Sequence, residues 1–233
     1  MKRRRPGLQG KWAYVVNSLQ VIMPSYEKAS SRISLFEDRR LRSEAVSSAV
    51  TGGSLVLDLG AGPGTLSRLV AKAGGTPVLL DVSRKMLGAS NFELKVQAAF
   101  EQLPFRPSTF DSVVAAFAVR DSRDLVAALS QVSAALKDGG HFSFCDLGKP
   151  DSELKTVAVA YYLRLAPAVI GMLTAGRVGL RYASIYPTYV LVPHNSVLSA
   201  ILSRWFEVSI REFQMGASIV VVCTKTDHMT MRK

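Results

Sequence analysis

The sequence contains little cysteine and no long hydrophobic run. Cys145 and Cys223 are its two cysteines, and both lie in apolar runs typical of buried strands. Two cysteines cannot form a disulfide framework, so we expect a protein of a reducing, intracellular environment. The longest apolar stretch, 165–176, covers about a dozen residues, whereas a membrane-spanning helix needs roughly 20. These absences predict a chain that does not cross a membrane, although it can contact one.

Targeting and metal-binding patterns are also missing. The basic residues 2–5 are followed by segment 6–10, which contains proline and glycine instead of an apolar run, so we predict no secretory signal. The three histidines, His141, His194 and His228, form no ligand cluster. Because no spacing typical of a metal site is present either, we expect no metal cofactor.

Charge is unbalanced, with a formal net charge of +11 that lies partly in residues 2–5 and partly in 39–42. A basic excess favours a polyanionic partner, either nucleic acid or an anionic membrane. A solvated tail and a solvated helix face explain the same charges equally well. Trp12, Tyr14 and Trp205 are too dispersed to form a base-stacking surface, so nucleic acid is the less favoured partner.

Residues 54–146 alternate between apolar strands and amphipathic helices. The predicted strands are 55–59, 77–80, 95–98, 111–116 and 141–146, and the predicted helices are 64–73, 83–91, 122–137 and, further on, 194–204. Such alternation is typical of an α/β fold with a doubly wound, mostly parallel sheet. Two last strands, 206–213 and 217–224, are joined by Met215 and Gly216. They predict a hairpin that places one antiparallel strand at the C-terminal end of the sheet.

The pattern divides the chain into three parts. Residues 1–50 predict helices, interrupted at Pro24, that cover the functional site. Residues 51–225 predict one α/β domain, and 226–233 a tail. Within the domain, segment 151–190 is apolar and irregular and has no clear strand. We interpret this insert as a cover over the substrate.

A glycine-rich turn follows the first strand of the domain. The strand ends at Asp58, and Gly60, Gly62 and Gly64 then precede a helix and a second strand that ends at Asp81. This βαβ unit predicts a nucleoside-bearing cofactor whose anionic group lies at the helix N-terminus. The register G-x-G-x-G differs from the dinucleotide pattern G-x-G-x-x-G, and no Walker lysine is present. Of the nucleoside cofactors considered, S-adenosylmethionine (SAM) remains. Its carboxylate is the anionic group that we place at the helix N-terminus.

Asp81 has two interpretations. A carboxylate at the end of the second strand can accept hydrogen bonds from both ribose hydroxyls of a nucleoside. Alternatively, Asp81 caps the helix that begins at Ser83. Its position behind the glycine turn favours contact with the cofactor.

Several segments resemble the seven-stranded SAM-dependent methyltransferases. Residues 58–65 and 81–87 resemble motif I and the motif that follows it, 101–111 resemble E-x-L-P-F-x-x-x-x-F-D, and 134–140 resemble R-x-L-K-P-G-G. The resemblance implies a Rossmann-like sheet of seven strands, with SAM as cofactor and S-adenosylhomocysteine as product. The resemblance therefore implies that the protein is an enzyme.

Further segments resemble the C-methyltransferases of ubiquinone and menaquinone biosynthesis, the UbiE family. They are 24–34, 117–121, 147–150, 167–171 and 181–187. The resemblance implies methyl transfer to a ring carbon of a prenylated quinol precursor, either demethylmenaquinol-like or ubiquinone-precursor-like. The alternatives are methylation of another small or lipidic molecule, methylation of RNA, and a non-catalytic SAM-fold subunit.

The turn and the resemblance together give a set of cofactor-binding residues. They are Asp58, Gly60, Ala61, Gly62, Pro63, Gly64, Thr65, Asp81, Val82, Met86, Ala99, Phe100 and Ala116. Two of these positions depart from the family pattern. Pro63 replaces a threonine or serine, and Ala99 replaces the acidic or amide residue expected at the adenine amine. A backbone contact from Phe100 remains.

Three residues are candidates for catalysis. The resemblance places Arg120 and Asp121 where the family has R-N, and Tyr26 in its N-terminal segment. Asp121 can act as general base, Arg120 can stabilise a phenolate, and Tyr26 can hydrogen-bond the quinol or cover the cationic methyl group. The alternatives are that Asp121 and Asp124 cap the following helix, that Arg120 simply pairs with Asp121, and that Tyr26 is a core residue.

The insert supplies the predicted substrate contacts, Tyr162, Ile170, Arg181 and Tyr182. Its apolar face suits a lipophilic quinol with a prenyl tail, and its arginines suit lipid headgroups. Packing of a lid on the sheet and a homodimer interface explain the same face. We expect a cytoplasmic protein with optional peripheral contact at the inner face of the membrane.

Overall fold

The computed structural model describes residues 12–226. The basic run 2–5, His228 and all but the first residue of the predicted tail 226–233 lie outside the described residues. The strands are β1 (Leu55–Leu59), β2 (Thr76–Asp81), β3 (Lys95–Gln97), β4 (Phe110–Ala116), β5 (Leu136–Leu147), β6 (Phe206–Phe213) and β7 (Ser218–Lys225). They form one sheet in the order β3-β2-β1-β4-β5-β7-β6.

Strand direction follows the prediction. β1 runs parallel to β2 and β4, and β4 runs parallel to β5. β7 is antiparallel to both β5 and β6, so the C-terminal hairpin is inserted with its second strand inside the sheet. The expected α/β class with one antiparallel strand is therefore confirmed.

One strand is longer than predicted. β5 begins at Leu136 instead of residue 141, because Leu136 is buried and pairs with Phe110. The register shifts before Ser112 pairs with His141, and Gly139 in between has a φ of 71°. Residues 138–140, which separate the predicted helix 122–137 from the predicted strand 141–146, thus form an irregularity within the strand.

The helices flank the sheet on both sides. They are α1 (Trp12–Ile22), α2 (Tyr26–Ile33), α3 (Asp38–Ser47), α4 (Thr65–Lys72), α5 (Arg84–Gly88), α6 (Leu125–Ala135), α7 (Glu153–Ala175), α8 (Ile185–Leu191) and α9 (Asn195–Leu202). A short 3-10 helix, Met23–Ser25, separates α1 from α2 near the predicted break. Alternate residues of β1 enter two cores: Leu57 and Leu59 pack on one face, and Val56 packs with α3 and α4 on the other.

Segment 151–190 is helical, so the expectation of irregular structure there is wrong. It contains α7, the 3-10 run Gly176–Ser184 and α8. The periodic signal is weak because α7 is apolar on both of its sides. Its buried residues recur at helical spacing as Val159, Leu163, Pro167 and Gly171, and its exposed side is apolar as well.

The apolar length of this segment also exceeds the estimate from the sequence. Within the described chain, the helical run Glu153–Leu191 is long and apolar enough to cross a membrane, judged by length and composition alone. Core helices of soluble proteins can meet the same criterion. Here 22% of the most apolar window is buried in the fold.

Gly171 and Gly179 hold α7 against the following 3-10 run. A Cβ added to Gly171 would overlap the carbonyl oxygen of Gly179 and approach the ring of Tyr182 to 2.7 Å. The two backbones therefore touch at a point where a side chain does not fit.

We predict that Gly171→Ala lowers the free energy of unfolding by about 1–3 kcal/mol through overpacking. Gly88→Ala is the matched control, since a Cβ at Gly88 meets nothing within 4 Å. Thermal unfolding of both variants tests this. Equal melting temperatures for the two variants would contradict the close contact.

Candidate active site

The glycine turn after β1 has a backbone that requires glycine. Gly60, Gly62 and Gly64 have φ values of 76°, 54° and 82°. A Cβ on Gly60 would lie 2.5 Å from the Cβ of Ala118. The amides of Gly60 and Ala61 donate to the carbonyl of Leu80 at 2.8 and 3.0 Å. The turn is thus anchored on β2, and the N-terminus of α4 follows it directly.

Asp81 lies beside this turn at the end of β2. Its Oδ2 accepts a hydrogen bond from the Gly62 amide at 2.9 Å, and its Oδ1 accepts one from the Ser83 amide at 2.8 Å. Helix α5 is capped by the hydroxyl of Ser83, which accepts from the Met86 amide, and not by Asp81. Burial raises the pKa of Asp81, and the two amides oppose this shift.

A cavity of about 100 Å³ opens over the turn, and we call it the cofactor cavity. Eleven of the thirteen predicted cofactor residues line it: Gly60, Ala61, Gly62, Pro63, Thr65, Asp81, Val82, Met86, Ala99, Phe100 and Ala116. The structure therefore brings this set together around one space.

Asp58 and Gly64 do not line the cofactor cavity. Asp58 is buried behind the turn and accepts a hydrogen bond from the hydroxyl of Ser67 at 2.5 Å. Burial raises the pKa of Asp58 to about 6. Gly64 faces the side chains of Ser90 and Phe92. Both residues hold the turn and α4 in place from behind.

The N-terminal helices cover this cavity. Trp12, Val16, Leu19 and Tyr26 contribute to its lining. The side-chain Nε2 of Gln20 donates to the Ser83 hydroxyl at 2.9 Å. Of these residues, the sequence identified only Tyr26 as part of the site, because an apolar helix face looks the same whether it covers a core or a cavity.

A second and larger cavity, of about 250 Å³, lies beside the first, and we call it the apolar cavity. Among the predicted substrate residues, Tyr162 and Tyr182 line it. The Tyr162 hydroxyl donates to the Ile33 carbonyl at 2.9 Å. Ile170 packs behind the wall in a cluster with Tyr182, and Arg181 is exposed to solvent, so neither contributes to the lining.

The two cavities meet at four residues. Leu19, Tyr26, Phe117 and Asp121 line both of them. Phe117 follows β4 directly and has a φ of 56°, an uncommon value for a bulky residue. Its amide donates to the Cys145 carbonyl at 2.7 Å, which fixes this backbone against β5. We call this meeting point the junction.

Asp121 and Arg120 lie in the 3-10 turn Val119–Asp121 after β4. Arg120 forms a buried ion pair with Asp146 of β5, through Nη1 and Oδ1, and its amide donates to the same carboxylate at 3.1 Å. The distance from Arg120 Nε to Asp121 Oδ1 is longer, 3.7 Å. The principal partner of Arg120 is therefore Asp146, which the sequence analysis did not identify.

The capping role considered for Asp121 is also excluded. Helix α6 is capped by Asp124, whose side chain accepts from the Ala127 amide at 3.1 Å. Asp121 Oδ1 is buried and accepts no hydrogen bond from the described residues. It faces the junction with one loosely paired carboxylate oxygen.

Burial shifts the pKa values of Arg120 and Asp121. It raises the pKa of Asp121 to about 6, although Arg120 opposes the shift. Burial alone would lower the pKa of Arg120, but the carboxylates of Asp121 and Asp146 outweigh it and raise that pKa. Asp121 can thus exchange a proton near neutral pH, while Arg120 stays cationic. Over residues 12–226, no cluster of three or more His, Cys, Asp or Glu side chains is arranged to hold a metal ion.

Comparison with known proteins identifies a methyltransferase domain in this chain. The family model for the methyltransferase domain matches residues 57–144. The chain is 33% identical to the demethylmenaquinone methyltransferase of Streptomyces avermitilis over 162 residues, which cover 66% of this chain and 70% of that protein. It is 36% identical to the ubiquinone/menaquinone biosynthesis C-methyltransferase UbiE of Marinomonas sp. over 137 residues, or 52% and 54% of the two chains. The match thus spans about half of the Marinomonas protein.

A solved structure shows the same fold. It is a SAM-dependent methyltransferase of Thermotoga maritima, described as a possible histamine N-methyltransferase, with a TM-score of 0.64 at 14% identity over 91% of this chain and all of that one. This structure shows the fold, and the 33% identity to the Streptomyces protein, of which 70% is covered, shows the family: the chain belongs to the class I SAM-dependent methyltransferases. It is an enzyme, and its methyltransferase domain implies that it uses SAM. The residues that line the cavity suit that cofactor: the turn carries glycines in place of side chains, and Asp81 offers carboxylate acceptors for a ribose.

The raised pKa of Asp121 predicts a pH-dependent stability. In the unfolded chain this carboxyl titrates near about 4. The folded state favours the protonated form of Asp121, because its pKa there is about 6. The stabilisation from this protonated carboxyl is therefore complete below pH 4 and is lost as the pH rises through about 6. We predict that Asp121→Asn raises the free energy of unfolding at pH 8 by about 1–3 kcal/mol and changes it little at pH 4.

Asp111→Asn is the control with the opposite sign. Asp111 pairs with Lys137, and hydrogen bonds from Lys137 and from the Leu55 amide lower its pKa. Its substitution is expected to lower the melting temperature at pH 8 and to have little effect once the pH falls below the depressed pKa. A destabilised Asp121→Asn at pH 8 would contradict the account of Asp121.

Proposed function

We propose that the protein transfers a methyl group from SAM to a ring carbon of a prenylated quinol precursor, demethylmenaquinol-like or ubiquinone-precursor-like. The observation that carries this proposal is the apolar cavity of about 250 Å³ that joins the cofactor cavity at Tyr26, Phe117 and Asp121. An aromatic ring in this cavity lies against the cofactor, and its tail has apolar walls to follow. The names of the Streptomyces and Marinomonas relatives support the same substrate class.

The chemistry requires a nucleophilic ring carbon. Bound in its cavity, SAM supplies an electrophilic methyl group on a sulfonium. Removal of a phenolic proton pushes electron density into the quinol ring, and Asp121 is the group at the junction that can take that proton, directly or through water. With a pKa of about 6, Asp121 is ionised at neutral pH and ready to accept it.

Two neighbours complete the proposed machinery. Arg120 carries a fixed positive charge beside Asp121, and its Nε donates no hydrogen bond within the described chain. It can stabilise the phenolate that forms when the proton leaves. Tyr26 lines both cavities, and it can hydrogen-bond the quinol oxygen or cover the cationic methyl centre. S-adenosylhomocysteine is the expected second product.

The prenyl tail needs a way out of the cavity. Leu35 and Met215 line the apolar cavity and are 59% and 63% exposed, so they form its rim. The side-chain Nε2 of Gln214 donates to the Ser34 carbonyl at 2.8 Å and links the two rim loops. Phe36 beside the rim is 73% exposed. We propose that the tail leaves between Leu35 and Met215.

The surroundings of the rim suit an anionic lipid surface. Phe36 also lines a neighbouring surface cavity that contains Lys28, Arg32 and Arg39. Apolar side chains flanked by basic ones are typical of peripheral membrane contact. We therefore propose a cytoplasmic enzyme that takes its substrate from the inner face of the membrane.

Methyl transfer from labelled SAM to a panel of demethylated quinols tests the function. We expect prenylated quinols to be methylated on a ring carbon, and quinols without a tail to react with a higher KM because they bury less apolar surface. Mass spectrometry locates the new methyl group. Methylation of oxygen, of RNA or of a different lipid, with none on a quinol ring, would overturn the proposal.

The role of Asp121 is tested by a pH profile. We expect kcat/KM of the wild type to rise with pH and to level off above pH about 6, where Asp121 is ionised. Asp121→Ala is expected to lower kcat about 10²- to 10⁴-fold and to remove this rise. Asp121→Asn restores the residue that the UbiE family has there. Because asparagine keeps the shape of the side chain and cannot ionise, this variant shows how much of the effect is due to the carboxylate charge. An unchanged profile in Asp121→Ala would assign the base elsewhere.

Membrane contact is tested by sedimentation with vesicles of phosphatidylglycerol or of phosphatidylcholine. We predict that the double variant Leu35→Asn, Met215→Asn binds phosphatidylglycerol vesicles more weakly, because asparagine keeps the positive φ values of 54° and 61° but removes the apolar contacts. Leu94→Asn, at a residue 49% exposed and remote in sequence, is the control. Equal binding of wild type and both variants would exclude the rim as the membrane contact. The exposed apolar side of α7 would then be better explained as a homodimer interface.

A further inference from the structure

Ser184 has a buried hydroxyl that the fold does not use. The residue is 5% exposed and lines the apolar cavity. It directly precedes α8, where a serine usually accepts a hydrogen bond from the second or third amide of the helix. Ser184 makes no such bond, and Pro187 at the third position has no amide hydrogen to donate. Among the described residues 12–226, the Ser184 hydroxyl has no hydrogen-bond partner.

Other hydroxyls that line the apolar cavity are bonded within the fold. Those of Tyr162 and Ser34 donate to backbone carbonyls at 2.9 and 3.0 Å. The Tyr182 hydroxyl lies 3.3 Å from the Ser25 hydroxyl. Leaving a buried hydroxyl without a partner is costly. The unpaired hydroxyl of Ser184 therefore indicates a partner that arrives with the substrate.

Thr188 lies one helical turn after Ser184 and lines the same cavity. It is 2% exposed, and its hydroxyl donates to the Ile185 carbonyl at 2.8 Å. Its hydrogen is thus committed, but its oxygen can still accept. The backbone of Ser184 is helical, with φ −64° and ψ −15°, so residues four apart are neighbours here. We call Ser184 and Thr188 the hydroxyl pair: Ser184 is free to donate, and Thr188 is free only to accept.

The hydroxyl pair and Asp121 lie on neighbouring walls of the apolar cavity. Helix α8 packs against the 3-10 turn Val119–Asp121. Asp121 lines both cavities at the junction, whereas Ser184 and Thr188 line the apolar cavity alone. A ring that reaches from the junction into the apolar cavity therefore meets Asp121 first and the hydroxyl pair further in.

A quinol carries two hydroxyls on opposite sides of its ring, and Asp121 can deprotonate only the one at the junction. We propose that the hydroxyl pair binds the other oxygen. Ser184 donates to it, and its own proton is donated to Thr188. The ring is then held at both ends, with the carbon to be methylated turned towards the cofactor cavity. Both residues are thus substrate-binding residues, an assignment that rests on the proposed quinol substrate.

Ser30 is the competing hydroxyl. It lines the apolar cavity from α2, one turn after Tyr26, and its side chain makes no hydrogen bond to the part of the chain that the structure describes. It is only partly buried, so solvent can supply its partner. Ser30→Ala removes an unpaired hydroxyl from another wall of the same cavity and is therefore the matched comparison for Ser184→Ala.

Two substrates test the contact. One is a prenylated naphthoquinol, and the other is the matching naphthol, in which hydrogen replaces the hydroxyl farther from the carbon to be methylated. Kinetics of wild type and Ser184→Ala with both substrates form a double-mutant cycle, which cancels the electronic effect of the missing hydroxyl. We expect Ser184→Ala to lower kcat/KM for the quinol about 3- to 10-fold, the range of one hydrogen bond, mainly through a higher KM. The value for the naphthol should change less than about 2-fold.

Two kinetic results would overturn the proposal. Equal losses for both substrates in Ser184→Ala would mean that the hydroxyl supports the cavity wall and does not bind the quinol. A loss specific to the quinol in Ser30→Ala, and not in Ser184→Ala, would assign the contact to α2. Wild type that methylates no quinol would instead reject the proposed function, and this inference with it, before any variant is compared.

Thermal unfolding without substrate adds an independent readout. We expect the melting temperature of Ser184→Ala to be no lower than that of wild type, because its hydroxyl makes no bond in the fold. Ser112→Ala is the control with the opposite sign: the buried Ser112 hydroxyl donates to the Ala49 carbonyl at 2.5 Å, so its loss should lower the melting temperature. An equal decrease in both variants would show that the Ser184 hydroxyl is structural and would overturn the proposal.

Discussion

The buried ion pair between Arg120 and Asp146 is the interaction on which the geometry of the active site depends. It joins the turn after β4 to the end of β5, and the side chains are 9% and 3% exposed. Because the pair fixes the backbone of Arg120 as well as its guanidinium, it also fixes Asp121, the next residue. Removing one partner would leave the other charge buried and unpaired. This lowers the free energy of unfolding more than replacing both partners with apolar residues does.

This constraint explains why the two cavities meet where they do. Parallel strands bring their carboxyl ends to the same edge of the sheet, where the glycine turn, Asp81, Phe117 and Asp121 all lie. The N-terminal helices and α7 then close the space above that edge. The sheet supplies fixed polar groups, and the helices supply apolar walls, so a cavity with polar groups and an apolar cavity lie side by side at one edge.

Much of the fold and of the cofactor cavity could be predicted from the sequence. Whether an element was predictable depended on whether local sequence rules determine it. The strands around Leu57 and the glycine turn follow from local rules, so the sheet and most of the cofactor cavity were predictable. The role of Asp146 was not, because it depends on which distant residue faces it. Segment 151–190 was misjudged for a local reason: α7 is apolar towards the cavity and towards solvent, so it shows no amphipathic period.

A crystal structure with S-adenosylhomocysteine bound would show whether one edge of the sheet presents the methyl donor to the apolar cavity. We expect the sulfur of the ligand to face the junction of Leu19, Tyr26, Phe117 and Asp121 and to be open to the apolar cavity. A ligand whose sulfur points away from that cavity, or is separated from it by the side chain of Phe117, would contradict this arrangement of the two cavities.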